Sequence, residues 1–237
     1  MRIALASART VDRDIERNLA EMERYAAEAA DKNADLVCFG EAFLQGFNAL
    51  DWDFEADRKM AVATDSDVFG RVCGMTLKYG VDILFGYNEL DGEHIYSSCA
   101  LVSGGRLYYN YRRISKGWKE YWKTDGHYLE DDRVVPFEYR GKKVVIGLCG
   151  DLWEYPDRFA LGQDVLIWPV YVDWTEEEWN GGGRQEYADQ ANLCCADVLY
   201  VNAFGDDGAL GGAMHFAGGS VREELLIGCE GLLMVEI

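Results

Sequence analysis

The sequence predicts an α/β protein built from two sheets with helices on their outer faces, and three features carry that prediction. Residues 2–8, RIALASA, form a short apolar run. A helical stripe follows at Ile15, Leu19, Met22, Ala26 and Ala29, and DLVCFGE at 35–41 is a second apolar run. Apolar residues three and four apart share one helix face, whereas short unbroken apolar runs suit buried strands, so this opening reads strand–helix–strand. From residue 81 the period changes. VDILFGYNEL, HIYSSCALVS and RLYYNYRR are β-like runs separated by DGE and GG, the punctuation of tight turns in a meander. The second half offers the same ingredients, with KKVVIGLC, DVLIWPV at 164–170 and VLYVNAF as strands around one further helix.

Element by element, Asp12 is the predicted N-cap of the first helix and Asp35 marks its exit. Residues 42–63 read as a long surface connection. Thr64 with Asp67 resembles a capping box opening a helix whose stripe is Val68, Val72, Met75 and Tyr79. Residues 112–133 are charged and aromatic with no clean period, which predicts a long ordered loop. VVPFEY and KKVVIGLC flank a turn at RGKK. Thr175 and Glu178 form a second capping box, opening a helix that reaches about Cys195, and the tail carries FAGGSV, ELLIG and LLMVEI. No linker interrupts the series, so residues 1–237 are expected to form a single domain.

Composition narrows the function. The chain has 237 residues, with 23 Lys+Arg against 42 Asp+Glu and a formal charge of −19. Such an acidic body is a poor ligand for phosphate backbones, so no nucleic-acid partner is expected. Its 49% hydrophobic content suffices for a sizeable core, yet no apolar stretch is long enough to span a membrane. Seven cysteines include no CxxC pair, and the N-terminus lacks the apolar core of a secretion signal. A reduced, cytoplasmic protein is expected. The three histidines are scattered, and no zinc-like spacing exists.

Three places carry candidate chemistry. Cys149 ends an apolar strand and is followed by GDLWEYP, which places a thiol in a Gly-containing turn beside free backbone N–H groups. Glu41 ends the apolar run of 35–41, where a carboxylate can accept a thiol proton and return it to a leaving amine. YRRISKGWKE at 111–120 supplies Arg113, Lys116 and Lys119 as cations for a developing oxyanion, and composition does not choose among them. Trp118, Trp122, Trp153 and Tyr155 flank these segments and are candidates to line a pocket. Asp151 reads as an organiser of its turn.

Glu, then a basic residue, then Cys, each beside a strand end, resembles the nitrilase or carbon–nitrogen hydrolase superfamily over nearly the whole chain. DLVCFGEAFLQGF is similar to the segment holding the family glutamate, and VVIGLCGDLWEYPDRFALGQDVLIWP to the segment holding its nucleophile. VNAFG and FAGGS resemble its closing strands, although the usual Pro-Gly turn after them is missing. The resemblance implies a four-layer α-β-β-α sandwich and an amidase- or carbamoylase-like enzyme. Such an enzyme hydrolyses the C–N bond of a small amide, carbamoyl or nitrile compound through a cysteine thioester. Glu41 and Cys149 take the family's roles, Gly150 lends an N–H to the oxyanion, and Glu120 matches the additional glutamate. Arg113 falls where the family places lysine, with Lys116 three residues on as the alternative cation. No metal or organic cofactor is implied, and a homo-oligomer, dimer or larger, is. Because Arg and Lys differ in shape and acidity, a non-catalytic relative that binds a small molecule or a protein remains as an alternative, and an acyltransferase using the same cysteine is a third reading.

Overall fold

A computed structural model describes residues 1–237. The first sheet contains β1 (Arg2–Ser7), β2 (Leu36–Cys38), β3 (Asp82–Asp91), β4 (His94–Ser103) and β5 (Arg106–Arg112). The second contains β6 (Phe137–Tyr139), β7 (Lys142–Ile146), β8 (Val165–Val170), β9 (Asp197–Asn202), β10 (Ala213–Ala217) and β11 (Ser220–Leu225). The last strand, β12 (Gly231–Glu236), returns to the first sheet, so the orders are β12-β1-β2-β3-β4-β5 and β11-β10-β9-β8-β7-β6. In each sheet three adjacent strands are parallel, β1-β2-β3 and β7-β8-β9, and the flanking pairs are antiparallel.

The helices are α1 (Ile15–Asp31), α2 (Phe54–Asp57), α3 (Asp67–Tyr79), α4 (Asp151–Glu154), α5 (Pro156–Phe159), α6 (Glu176–Glu178) and α7 (Arg184–Cys194). Helices α1 and α3 cover the outer face of the first sheet, and α7 covers that of the second. The four layers are therefore α-β-β-α. Strand alternation explains why the layers close. Ile3 and Leu5, Leu36 and Cys38, and Leu84 point into the core shared with the second sheet. Their neighbours Ala4, Ala6, Val37, Phe39, Ile83 and Phe85 pack beneath the outer helices.

Several local readings are corrected. The N-cap of α1 is Asp14, whose side chain accepts from Arg17 N at 3.0 Å, while Asp12 accepts from Asn48 N at 3.1 Å. Helix α3 is capped by Ser66, not by Thr64. Strand β2 stops at Cys38, three residues before Glu41. The segment 42–63 is not a surface connection throughout. Residues 42–46 are buried, and their polar groups are satisfied inside, with Leu44 O accepting from Asn18 Nδ2 and Gln45 Nε2 donating to Asn88 O. The Thr175–Glu178 capping box forms as expected, but a wide helical turn at Trp179–Gly183 separates α6 from α7. No helix is long and apolar enough to cross a membrane.

Candidate active site

Three strand ends converge where the sheets face each other. Glu41 follows β2, Arg113 directly follows β5, and Cys149 lies three residues beyond β7. The first two belong to one sheet and the third to the other. Glu41 N donates to Val170 O at 3.1 Å, which ties the glutamate turn to the end of β8 across the sheet interface. The turn also requires Gly86, because a Cβ there would lie 2.6 Å from Glu41 Cα.

Glu41 is fully buried, and its two carboxylate oxygens differ. Oε1 accepts from Ser97 Oγ at 3.0 Å and from Arg113 Nη1 at 2.8 Å. Oε2 is buried with no hydrogen-bond partner. Arg113, only 3% exposed, is held at every nitrogen: Nε donates to Ser115 Oγ at 2.8 Å and Nη2 to Lys116 O at 3.2 Å. Burial works against its charge, but Glu41, Cys149 and Asp151 around it outweigh that and raise its pKa above the ordinary guanidinium value. The plane of the guanidinium needs a glycine beside it, since a Cβ on Gly150 would come within 2.6 Å of Nη2.

Cys149 adopts a left-handed backbone, φ 40°, a conformation that costs a non-glycine residue about 1–3 kcal/mol. The surroundings hold it there. Cys149 N donates to Pro169 O at 3.0 Å, Cys149 O accepts from Trp168 Nε1 at 2.9 Å, and Sγ faces Tyr171 O at 3.8 Å. Burial first, and the Glu41 carboxylate second, push the thiol up to about 12, with Arg113 opposing. A carboxylate and a guanidinium therefore both act on a neutral thiol.

Asp151 organises the turn, as expected. Its Oδ1 accepts from Ile114 N at 3.1 Å and Ser115 N at 2.7 Å, and its Oδ2 from Tyr111 OH at 2.6 Å and Leu148 N at 2.8 Å. The side chain is fully buried. One carboxylate thus staples the arginine segment to the cysteine segment.

Other candidates lie farther out. Lys116 is exposed with Nζ above the Tyr121 ring, and only its carbonyl reaches Arg113. Glu120 pairs with Lys123 at 2.6 Å and does not support the cation. Lys119 is held instead by Glu130 and by Tyr128 O. A cleft of about 690 Å³ runs beside the site, lined by Phe47, Trp52, Trp118, Glu120, Tyr121 and Trp122 among others. Glu41, Arg113 and Cys149 do not line it, but two of its lining residues adjoin the site. A Cβ on Gly117 would stand 3.6 Å from Arg113 Nη2, and Phe47 stacks at 4.6 Å on Tyr171, whose carbonyl faces the thiol. Trp153 and Tyr155 do not line this cleft. Trp153 packs on Trp168 and Tyr187, and Tyr155, between α4 and α5, packs against the core.

Sequence reading missed Ser97, Ser115, Tyr171 and Glu130. Serines in a strand or loop carry no pattern, and only the fold brings Ser97 to Glu41, 56 positions away.

A family model described as "Carbon-nitrogen hydrolase" matches residues 2–160. The chain belongs to the carbon–nitrogen hydrolase family. Among curated relatives, an arylacetonitrilase of Aspergillus niger is 26% identical over 122 residues, covering 48% of this chain and 36% of the relative. A glutamine-dependent NAD(+) synthetase of Thermotoga maritima is 25% identical over 170 residues, covering 70% of this chain and 29% of the relative. The chain thus matches about a third of each relative's length. An amidase from Nesterenkonia sp. superposes with a TM-score of 0.79 at 18% identity, over 100% of this chain and 90% of that one. A glutamine-dependent NAD+ synthetase from Acinetobacter baumannii reaches 0.79 at 19% identity, over 98% of this chain and 44% of that one. At such identities these likenesses show the fold alone.

Proposed function

We propose that this chain hydrolyses the C–N bond of a small amide, or the nitrile of the same acyl group, through a thioester on Cys149. The observation that carries the reading is the unpartnered Oε2 of Glu41 beside a neutral thiol and a permanent cation. Glu41 takes the proton from Sγ as sulfur bonds to the substrate carbon. With an amide, the oxygen that gains charge is met by the Arg113 guanidinium and the Gly150 N–H, so Arg113 fills the role for which the family resemblance expects lysine; a nitrile first gives a thioimidate, which takes up one water to reach the same tetrahedral adduct. As the tetrahedral adduct collapses, the C–N bond breaks and Glu41 returns the proton to the departing nitrogen. Water, deprotonated by the same carboxylate, then adds to the thioester, and the thiol leaves with its proton restored. Solved structures of the E41Q mutant of the Nesterenkonia amidase carry acrylamide, or the acetamide moiety of fluoroacetamide, added covalently at the active-site cysteine, which supports a thiol nucleophile here.

The cleft favours an acyl group bearing a flat ring. Phe47, Trp52, Trp118, Tyr121 and Trp122 supply aromatic faces, on which a planar ring gains stacking as well as burial. The arylacetonitrilase relatives are in keeping with that choice. The test is ammonia release from phenylacetamide, phenylacetonitrile, acetamide and a carbamoyl amino acid, with intact mass read in parallel. A wild-type adduct and ammonia, both absent in C149S, are expected with the aryl compounds. Equal turnover by wild type and C149S would end the thioester scheme.

A further inference from the structure

Ser97 lies on β4 and is 4% exposed. It touches both partners of the buried ion pair. Its Oγ donates to Glu41 Oε1 at 3.0 Å, and its carbonyl accepts from Arg113 N at 2.8 Å. Neighbouring Ser98 is turned to the opposite face of the strand, where its hydroxyl donates to Glu89 at 2.6 Å, so strand alternation delivers one serine to each carboxylate.

The consequence concerns which oxygen of Glu41 does the work. A carboxylate on a free side chain presents two equivalent oxygens, and rotation about the last bond exchanges them. Here Oε1 is fixed from two directions, by a hydroxyl and by a guanidinium nitrogen, while Oε2 has nothing. Arg113 alone does not determine this arrangement, because one Nη1 contact lets the carboxylate swing about it. The second donor removes that freedom. We propose that Ser97 is a positioning residue which, with Arg113, pins Oε1 of Glu41 and reserves Oε2 as the atom that takes the Cys149 proton.

Other charged or titratable groups reach this carboxylate from the elements around it. Arg113 comes from the end of β5, Cys149 from the turn after β7, and the buried Cys99 from β4, while Asp151 faces Arg113 rather than Glu41. None of them duplicates the Ser97 hydroxyl. The proposal rests on Glu41 acting as the base, and the experiment separates the two ideas. Alkylation of Cys149 by 2-chloroacetamide at neutral pH, followed by intact mass with C149S as the blank, needs no knowledge of the substrate. Wild type should react well ahead of E41Q. S97A should fall about tenfold below wild type, the value of one charge-assisted hydrogen bond. S97T, which keeps the hydroxyl, should recover most of the rate. In the E41Q background S97A should change nothing further, since the bond it removes serves only the carboxylate. Thermal melts of all variants identify loss of fold. Wild-type reactivity in folded S97A, or an equal slowing of E41Q by S97A, overturns the role of Ser97. Reaction of wild type no faster than E41Q overturns the base itself, and the proposal with it.

Discussion

The carboxylate of Asp151 lies 2.7 Å from the peptide N–H of Ser115, joining two segments that belong to different sheets. Three more donors converge on the same buried side chain, so the distance between the arginine and cysteine segments is fixed by one residue. D151A is expected to lower stability by about 3 kcal/mol or more, because four donors lose their acceptor inside the protein. D151N keeps the shape but turns an NH₂ towards N–H donors, and should cost nearly as much. Urea denaturation of both variants checks this. Loss below 1 kcal/mol in D151N would show that the four bonds are not what holds the turn.

Arg113 gives a sharper test, since its three hydrogen-bonded nitrogens cannot be reproduced by an ammonium. R113K should retain a charge beside Glu41 but lose the contacts to Ser115 and Lys116 O. With the substrate that the aryl panel identifies, we expect kcat to drop about ten- to a hundredfold with KM little changed. R113A should remove activity altogether. If R113K exceeds wild type, the site is tuned for lysine and the guanidinium does no catalytic service.

Much of this arrangement was legible before the fold was known, for identifiable reasons. Two sheets with helices outside follow from period changes in apolar residues, and the family resemblance supplied the four-layer α-β-β-α packing, which the structure has. Glu41, Arg113 and Cys149 stood beside apolar runs, and the structure brings all three together at strand ends. The failures share a cause as well. Whether Arg113 or Lys116 faces the site depends on the bend at 115–116 and on Gly117, which has φ 92°. Glu120 and Glu130 differ only in which way an irregular loop carries them. Glu130, not Glu120, is the carboxylate that gathers Trp118, Lys119 and Tyr121. Trp153 lies on the short helix α4 and packs against Trp168 rather than in the cleft.

The thiol carries a pH signature. Its folded pKa of about 12 stands above the ordinary value of 9.0, so the folded state holds the proton that the unfolded chain releases. Stability linked to this group is fully present below pH 9 and is lost as pH rises towards 12. The stability difference between wild type and C149S should therefore shrink in favour of C149S on going from pH 8 to about 10.5. Taking the difference cancels the other cysteines and tyrosines. Thiolate absorbance near 240 nm, as wild type minus C149S, should stay flat over most of that range. Cys149 is only partly buried, so a step near pH 9 would mean that neither its surroundings nor the Glu41 carboxylate holds the proton.

The cleft wall separates binding from chemistry. Trp122 is 81% exposed and lines the cleft, yet nothing in the fold depends on it. W122A should change stability by less than about 0.5 kcal/mol. For an aryl amide its KM should rise about three- to tenfold with kcat preserved, because a stacking face is lost and the reacting atoms are untouched. For acetamide, which cannot reach that face, KM should not move. Glu130 acts on the same wall through its partners, accepting from Trp118 Nε1 at 3.0 Å, from Lys119 Nζ at 3.1 Å and from Tyr121 OH. E130Q removes the charge that holds Lys119 and should raise KM for aryl and small amides alike, since the whole wall loosens rather than one face of it. A W122A variant with wild-type KM for every aryl substrate would move the acyl group out of this cleft.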